Sequence, residues 1–152
     1  MKTILAPLDF SPTTAGVVAE ATSLALGVDA EVVLVHVLQA PEALADYGTA
    51  GGYLVALLDT LGRDATRHLA KWSRRVEARG ARVRAVQLSG GTPSLLIAAE
   101  AKRRSADYIV MGTHGHTAFH ELLAGSTTSG VLRRAPCPVV VVPARRAGPR
   151  RR

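Results

Sequence analysis

Glycine and hydroxyl residues gather late in the chain in a spacing suited to holding an anion. The strand-like run Tyr108-Ile-Val-Met is followed by Gly112-Thr-His-Gly115, nine further residues, and then Gly125-Ser126-Thr127-Thr128-Ser129, before a helix-compatible run to Arg134. The order strand, glycine turn, hydroxyl cluster, helix would put Gly112 and Gly115 beyond the carboxyl end of a strand, where open parallel sheets bind ligands. Glycine there lets backbone N–H groups approach phosphate oxygens with no Cβ in the way. Ser126, Thr127 and Thr128 would add hydroxyls to the free amides and positive dipole end of the helix. The spacing alone is equally consistent with a tight turn at the two glycines and a helix cap at Ser126. No Gly-x4-Gly-Lys-[Ser/Thr] occurs and no Gly-x-Gly-x-x-Gly follows the first strand, which argues against a P-loop ATPase or a dehydrogenase.

His114, His116 and His120 lie in the same stretch, and a His-x-His pair with a third histidine nearby can supply three zinc ligands. No fourth ligand recurs close by, so histidines that donate to an anion or face solvent are the simpler reading. A magnesium ion bridging phosphates would be held mainly by the nucleotide and water. Cys137 is the only cysteine. It excludes an intramolecular disulfide, and its place in Ala-Pro-Cys-Pro-Val at the mouth of an apolar strand reads as packing rather than as a reactive thiol.

Positioning these groups requires a scaffold, and the chain supplies an alternation of short β-rich runs with helical patterns. Strands are predicted over 2–8, 31–38, 81–88, 107–111 and 139–142. The Val-Val-Leu-Val core of the second is apolar at successive positions, as in a strand buried on both faces. A helix is predicted from Thr13 to Leu26, ended by a left-handed Gly27. Residues 39–53 contain Pro41, Gly48, Gly51 and Gly52 and read as a loop. From there Leu54, Leu58, Leu61, Ala65, Leu69, Trp72 and Val76 make one apolar stripe of a long helix closed by Gly80, with Arg63, Arg67, Lys71 and Arg74 on a solvated face. Thr92 is placed to cap a helix that begins at Pro93 and runs to about Arg104.

A length of 152 residues with 47% hydrophobic composition suits one substantial core. The formal charge of +7 suggests nucleic acid or membrane until it is located: Arg145, Arg146, Arg150, Arg151 and Arg152 carry much of it, and residues 1–143 are near neutrality. One domain over 1–143 with a disordered Arg-rich tail over 144–152 is expected. No segment approaches the ~20 apolar residues of a membrane span, and a cytoplasmic address is expected.

The spacing Gly112-x2-Gly115-x9-Gly125-Ser126 resembles the ATP-binding signature of the universal stress protein family. The resemblance extends over residues 1–143 and includes Ile4-Leu-Ala-Pro-Leu-Asp9-Phe-Ser11, His36-Val37, Gly91-Thr-Pro and Pro136-Cys-Pro-Val-Val-Val-Val142. It implies an α/β fold of the Rossmann-like, adenine nucleotide alpha hydrolase-like type, an open five-stranded parallel sheet in the order 3-2-1-4-5 with helices on both faces. It also implies a site. Pro7, Leu8 and Asp9 would end the first strand at the crevice, with Asp9 contacting the adenosine portion. Val37 would lie against adenine, Met111 and Gly112 along the ribose, and His114, Gly115, His116, Gly125, Ser126, Thr127 and Thr128 around the phosphates. For Asp9, a helix cap or a turn residue is the plain alternative, and both roles can hold together.

A binding module is therefore expected, in which ATP stabilises a conformation or a homodimer, paired through Val139–Val142, that a partner reads. A slow ATP hydrolase or phosphate-transfer protein is the alternative, although no base or Walker lysine is evident. Attachment to nucleic acid through the arginine tail is a third reading, weakened by an aromatic content of 4% and no stacking platform. A fallback within related folds is the electron-transfer flavoprotein type, which needs a flavin and a partner chain.

Overall fold

The computed structural model describes residues 1–40, 51–113 and 126–144. Five strands, β1 (Lys2–Pro7), β2 (Ala30–Leu38), β3 (Arg82–Ser89), β4 (Tyr108–Gly112) and β5 (Val139–Val142), alternate with four helices, α1 (Thr14–Val28), α2 (Gly51–Glu77), α3 (Pro93–Arg103) and α4 (Ser126–Arg134). All strand pairings are parallel, and the sheet order is β3-β2-β1-β4-β5. The order reverses between β1 and β4, so the carboxyl ends of these two strands open a crevice that no crossover helix fills.

Side-chain alternation along the strands sorts the core into two layers. Ile4, Ala6, Val32, Leu34 and Val110 pack with Val17, Val18 and Ala21 of α1 and Leu69 and Val76 of α2. Leu5, Val33, Val35, Ile109 and Met111 pack on the opposite face with Ile97 and Ala101 of α3 and Val131 of α4. Two consecutive apolar residues on β2 thus serve different layers, the reason its sequence shows no alternation. The apolar stripe of α2 lies inward, with Ala65, Leu69 and Val76 buried, while Arg63, Arg67, Lys71 and Arg74 are exposed.

Local boundaries follow the sequence with three differences. Gly80 turns the chain after α2 at φ 87°, as expected. Gly27 does not end α1; the left-handed residue is Asp29 at φ 52°, whose N–H donates to Ala25 O. Asp tolerates this region, and placing it there lets Ala30, already buried in the sheet opposite Lys2, follow without a spacer. Gly51, Gly52 and Tyr53, expected in a loop, form the first turn of α2. First-turn N–H groups have no intrahelical partner, so poor helix formers are least costly there, and the stripe downstream fixes the helix. Thr92 stands at the cap of α3, but its carbonyl, accepting from Leu95 and Leu96 N–H, makes the bonds instead of its hydroxyl.

The two sheet edges differ. β3 carries exposed Arg82 and Arg84, which pair with Asp29 at 2.7 Å and Glu31 at 3.4 Å. β5 exposes Val140 and Val141. Among the described residues no helix is long and apolar enough to cross a membrane.

Candidate functional site

A cavity of about 410 Å³ lies across the carboxyl ends of β1, β2 and β4. That is within the range of small-molecule sites. Pro7, Leu8 and Asp9, then Val37, then Met111 and Gly112, then Thr127 and Thr128 all line it. Each comes from a strand end or a helix start, so four separate stretches of sequence converge because the sheet order brings their ends together. Helices α1, α3 and α4 all begin at this cavity, contributing Thr14, Pro93 and Thr127, and none has an acidic residue in its first turn. Three positive dipole ends directed at one space favour an anion there without any cationic side chain. Among the described lining residues there is no Lys or Arg.

The turn after β1 is closed by its own side chains. Asp9 Oδ1 accepts from Ser11 N–H at 2.9 Å, and Ser11 Oγ accepts from Thr13 N–H at 3.3 Å. Asp9 is thus a turn residue, while Thr13 occupies the cap position of α1. Between them Phe10 is held at φ 60°. For a side chain with a Cβ this left-handed conformation costs about 1–2 kcal/mol. The Phe10 ring is sandwiched, with the His36 ring at 4.4 Å and the His68 ring at 4.8 Å between centroids, both nearly parallel to it. His36 Nδ1 stands 2.8 Å from Leu8 O. A carbonyl only accepts, so this nitrogen carries a proton.

On the other wall, Gly112 has a packing reason to be glycine. A Cβ there would stand 2.7 Å from Thr13 Cγ2 and 3.3 Å from Val17 Cγ2, so the start of α1 presses directly on the end of β4. Thr128, fully buried, donates its hydroxyl proton to Gly112 O at 3.1 Å and ties α4 to the same point. Its proton is spent on the scaffold, and Thr127, half-buried at the cavity, is the hydroxyl better placed to face a ligand. Thr14 Oγ1 is the one buried side-chain polar atom without a partner among the described residues, and Thr14 lines the cavity.

Of the residues expected from the sequence, eight are therefore brought together. Ser126 opens α4. His114, Gly115, His116 and Gly125, with His120, lie outside the described residues. Cys137 is half-buried against the α3–α4 layer, and burial, with the nearby Asp107 carboxylate, pushes its thiol above the ordinary range. A raised thiol is a poorer nucleophile at neutral pH. Sequence reasoning missed Phe10, Thr14, Leu61, Asp64 and His68 as cavity residues. His68 carried no signal, since it sits on an exposed stretch of α2 among solvated residues.

A sequence profile of the universal stress protein family matches residues 1–143. The chain is 32% identical over 142 residues to Universal stress protein MJ0531 of Methanocaldococcus jannaschii, covering 93% of this chain and 81% of that protein. The solved structure of hypothetical protein MJ0577 from the same organism superposes with a TM-score of 0.80 at 28% identity, covering 96% of this chain and 98% of the other. The universal stress protein of Archaeoglobus fulgidus in complex with dAMP shares the fold, with a TM-score of 0.70 at 22% identity over 93% of this chain and 97% of its own.

Proposed function

This chain belongs to the universal stress protein family, and from that premise we propose that its crevice binds an adenine nucleotide, ATP foremost, as a nucleotide-dependent regulatory module. The observation that carries the reading is the convergence of Asp9, Val37, Met111, Gly112 and Thr127 with three helix starts on one cavity. Val37 and Met111 offer apolar surface for adenine, Asp9 a carboxylate for the adenosine portion, and Gly112 a path along the ribose. The phosphates fall to Gly115, Gly125, Ser126 and Thr127, with His114 and His116 beside them. The unpartnered hydroxyl of Thr14 fits a polar ligand, because leaving such a group unsatisfied costs about 1–3 kcal/mol. The dAMP bound by the Archaeoglobus relative is of the same chemical class. Magnesium, where present, is held by the phosphates and water. No catalytic group is assigned, and the described lining holds no Lys or Arg to take up the charge of phosphoryl transfer. We place the protein in the cytoplasm, with residues 1–143 as the nucleotide-binding domain and 144–152 as an extension.

Thermal denaturation tests this. At a hundredfold excess over its dissociation constant ATP adds about 2.7 kcal/mol of stability, a rise in Tm of roughly 5–10 °C for a chain of this size. Inorganic phosphate at the same concentration is expected to add far less, because it lacks the adenosine contacts. An unchanged Tm with millimolar ATP in protein lacking residues 144–152 would remove the basis of the reading.

The chain is also proposed to form a homodimer through β5. Val140 and Val141 are 38% and 36% exposed on an edge strand, and a valine edge is a template for a second strand. Sedimentation is expected to show a dimer for the wild type and a monomer for Val141→Lys. A wild-type monomer would exclude the pairing.

A further inference from the structure

We propose that Phe10, clasped between His36 and His68, is a positioning residue for the nucleotide site, and that His68 on α2 thereby sets nucleotide affinity. The proposal rests on the nucleotide reading above and extends it to a helix that reading does not use.

The paired register of β1 with β2 ends at Pro7 opposite Val35, and Leu8 N–H donates the last backbone bond, to Val35 O at 2.7 Å. The two residues assigned to adenosine, Asp9 and Val37, both lie past that point. Asp9 is followed by Phe10, and Val37 is preceded by His36. Beyond the ladder the two strand ends are joined by the His36 Nδ1–H bond to Leu8 O and by the Phe10–His36 stack, among other contacts. His68 closes the other face of Phe10 from α2.

Phe10 needs this closure. Its φ of 60° is disfavoured for any residue with a Cβ, so a ring freed on one face can relax toward negative φ, and the Asp9 carboxylate turns with it. The Asp9–Ser11 turn bond is exposed to competing water. His68 is exposed on its helix and forms none of the core stripe, so its ring can be changed without opening a cavity in the core.

The experiment compares wild type, His68→Ala and His68→Phe in the full-length protein by two readouts, ATP affinity by titration and amide hydrogen exchange of residues 8–13 without nucleotide. His68→Ala is expected to weaken ATP binding about threefold to tenfold, the range of an aromatic pair, and to speed exchange in that segment. His68→Phe keeps a ring and removes every polar atom, and is expected to restore both values. Recovery by phenylalanine separates stacking from a hydrogen bond between His68 and ligand, which phenylalanine cannot supply. Wild-type affinity and exchange in His68→Ala overturn the proposal, as does a loss that His68→Phe fails to recover. A wild type that binds no ATP overturns the nucleotide reading instead, a result told apart by the first titration.

Discussion

Valine at Gly115 or Gly125 is expected to abolish ATP binding while circular dichroism stays that of the wild type, and removal of residues 144–152 is expected to leave affinity within about twofold. Both glycines lie in the segment of sequence between Gly112 at the end of β4 and the start of α4, and Gly112, Thr127 and Thr128 line the cavity. Amides delivered from such a segment reach phosphate oxygens only where no side chain intervenes, and a branched Cβ blocks the approach. Hydrogen bonds to charged oxygens contribute about 1.5–3 kcal/mol each, so losing two lowers affinity by more than about a hundredfold. The tail acts differently. Its arginines supply a diffuse attraction that falls with ionic strength, and titrations at low and high salt isolate it. Binding that survives both glycine substitutions and disappears with the tail would mean that the chain attracts polyanions and has no nucleotide site.

Alanine at Gly130 is expected to be the most damaging small substitution outside the cavity, lowering stability by about 1–3 kcal/mol through overpacking. A Cβ on Gly130 would stand 2.5 Å from both Cβ and Oγ of Ser94, where α4 crosses the start of α3. Ser94 is buried, so it cannot swing into solvent. The two helices must separate, and α4 carries Thr127 and Thr128 with it. Ser94→Gly in the same chain removes the opposing atoms and is expected to recover most of the loss. Thermal melts of the two single variants and the double variant measure this coupling. Additive losses would show that the helix crossing is not the cause.

How much of this was legible beforehand depends on whether a feature is local. The unbroken apolar runs of β2 and β5 and the stripe of α2 are patterns within one segment, and strand identity and helix face followed from them. The strand order came from resemblance, because nothing in the composition of a strand says which neighbour it takes. Gly27 misled because a permissive residue near a helix end is only an opportunity, and the tight connection into Ala30 placed the reversal at Asp29. Gly112 was legible as a necessary glycine for a partly different reason, since the group a Cβ meets there is Thr13. The Phe10 stack joins residues from β1's exit, β2 and α2 that share no motif, and only the assembled sheet brings their rings together.

The unlike edges of the sheet bear on how far self-association can run. Pairing of β5 with a second β5 is two-fold and consumes the same edge on both chains. Each outer end of the joined sheet is then β3, where Arg82 and Arg84 are paired to acidic residues of their own chain and present charge to any newcomer. In the proposed pair a third chain would meet only this charged edge. Edge-to-edge growth would then stop at two, and rising concentration is expected to saturate a stoichiometric pair without seeding a filament.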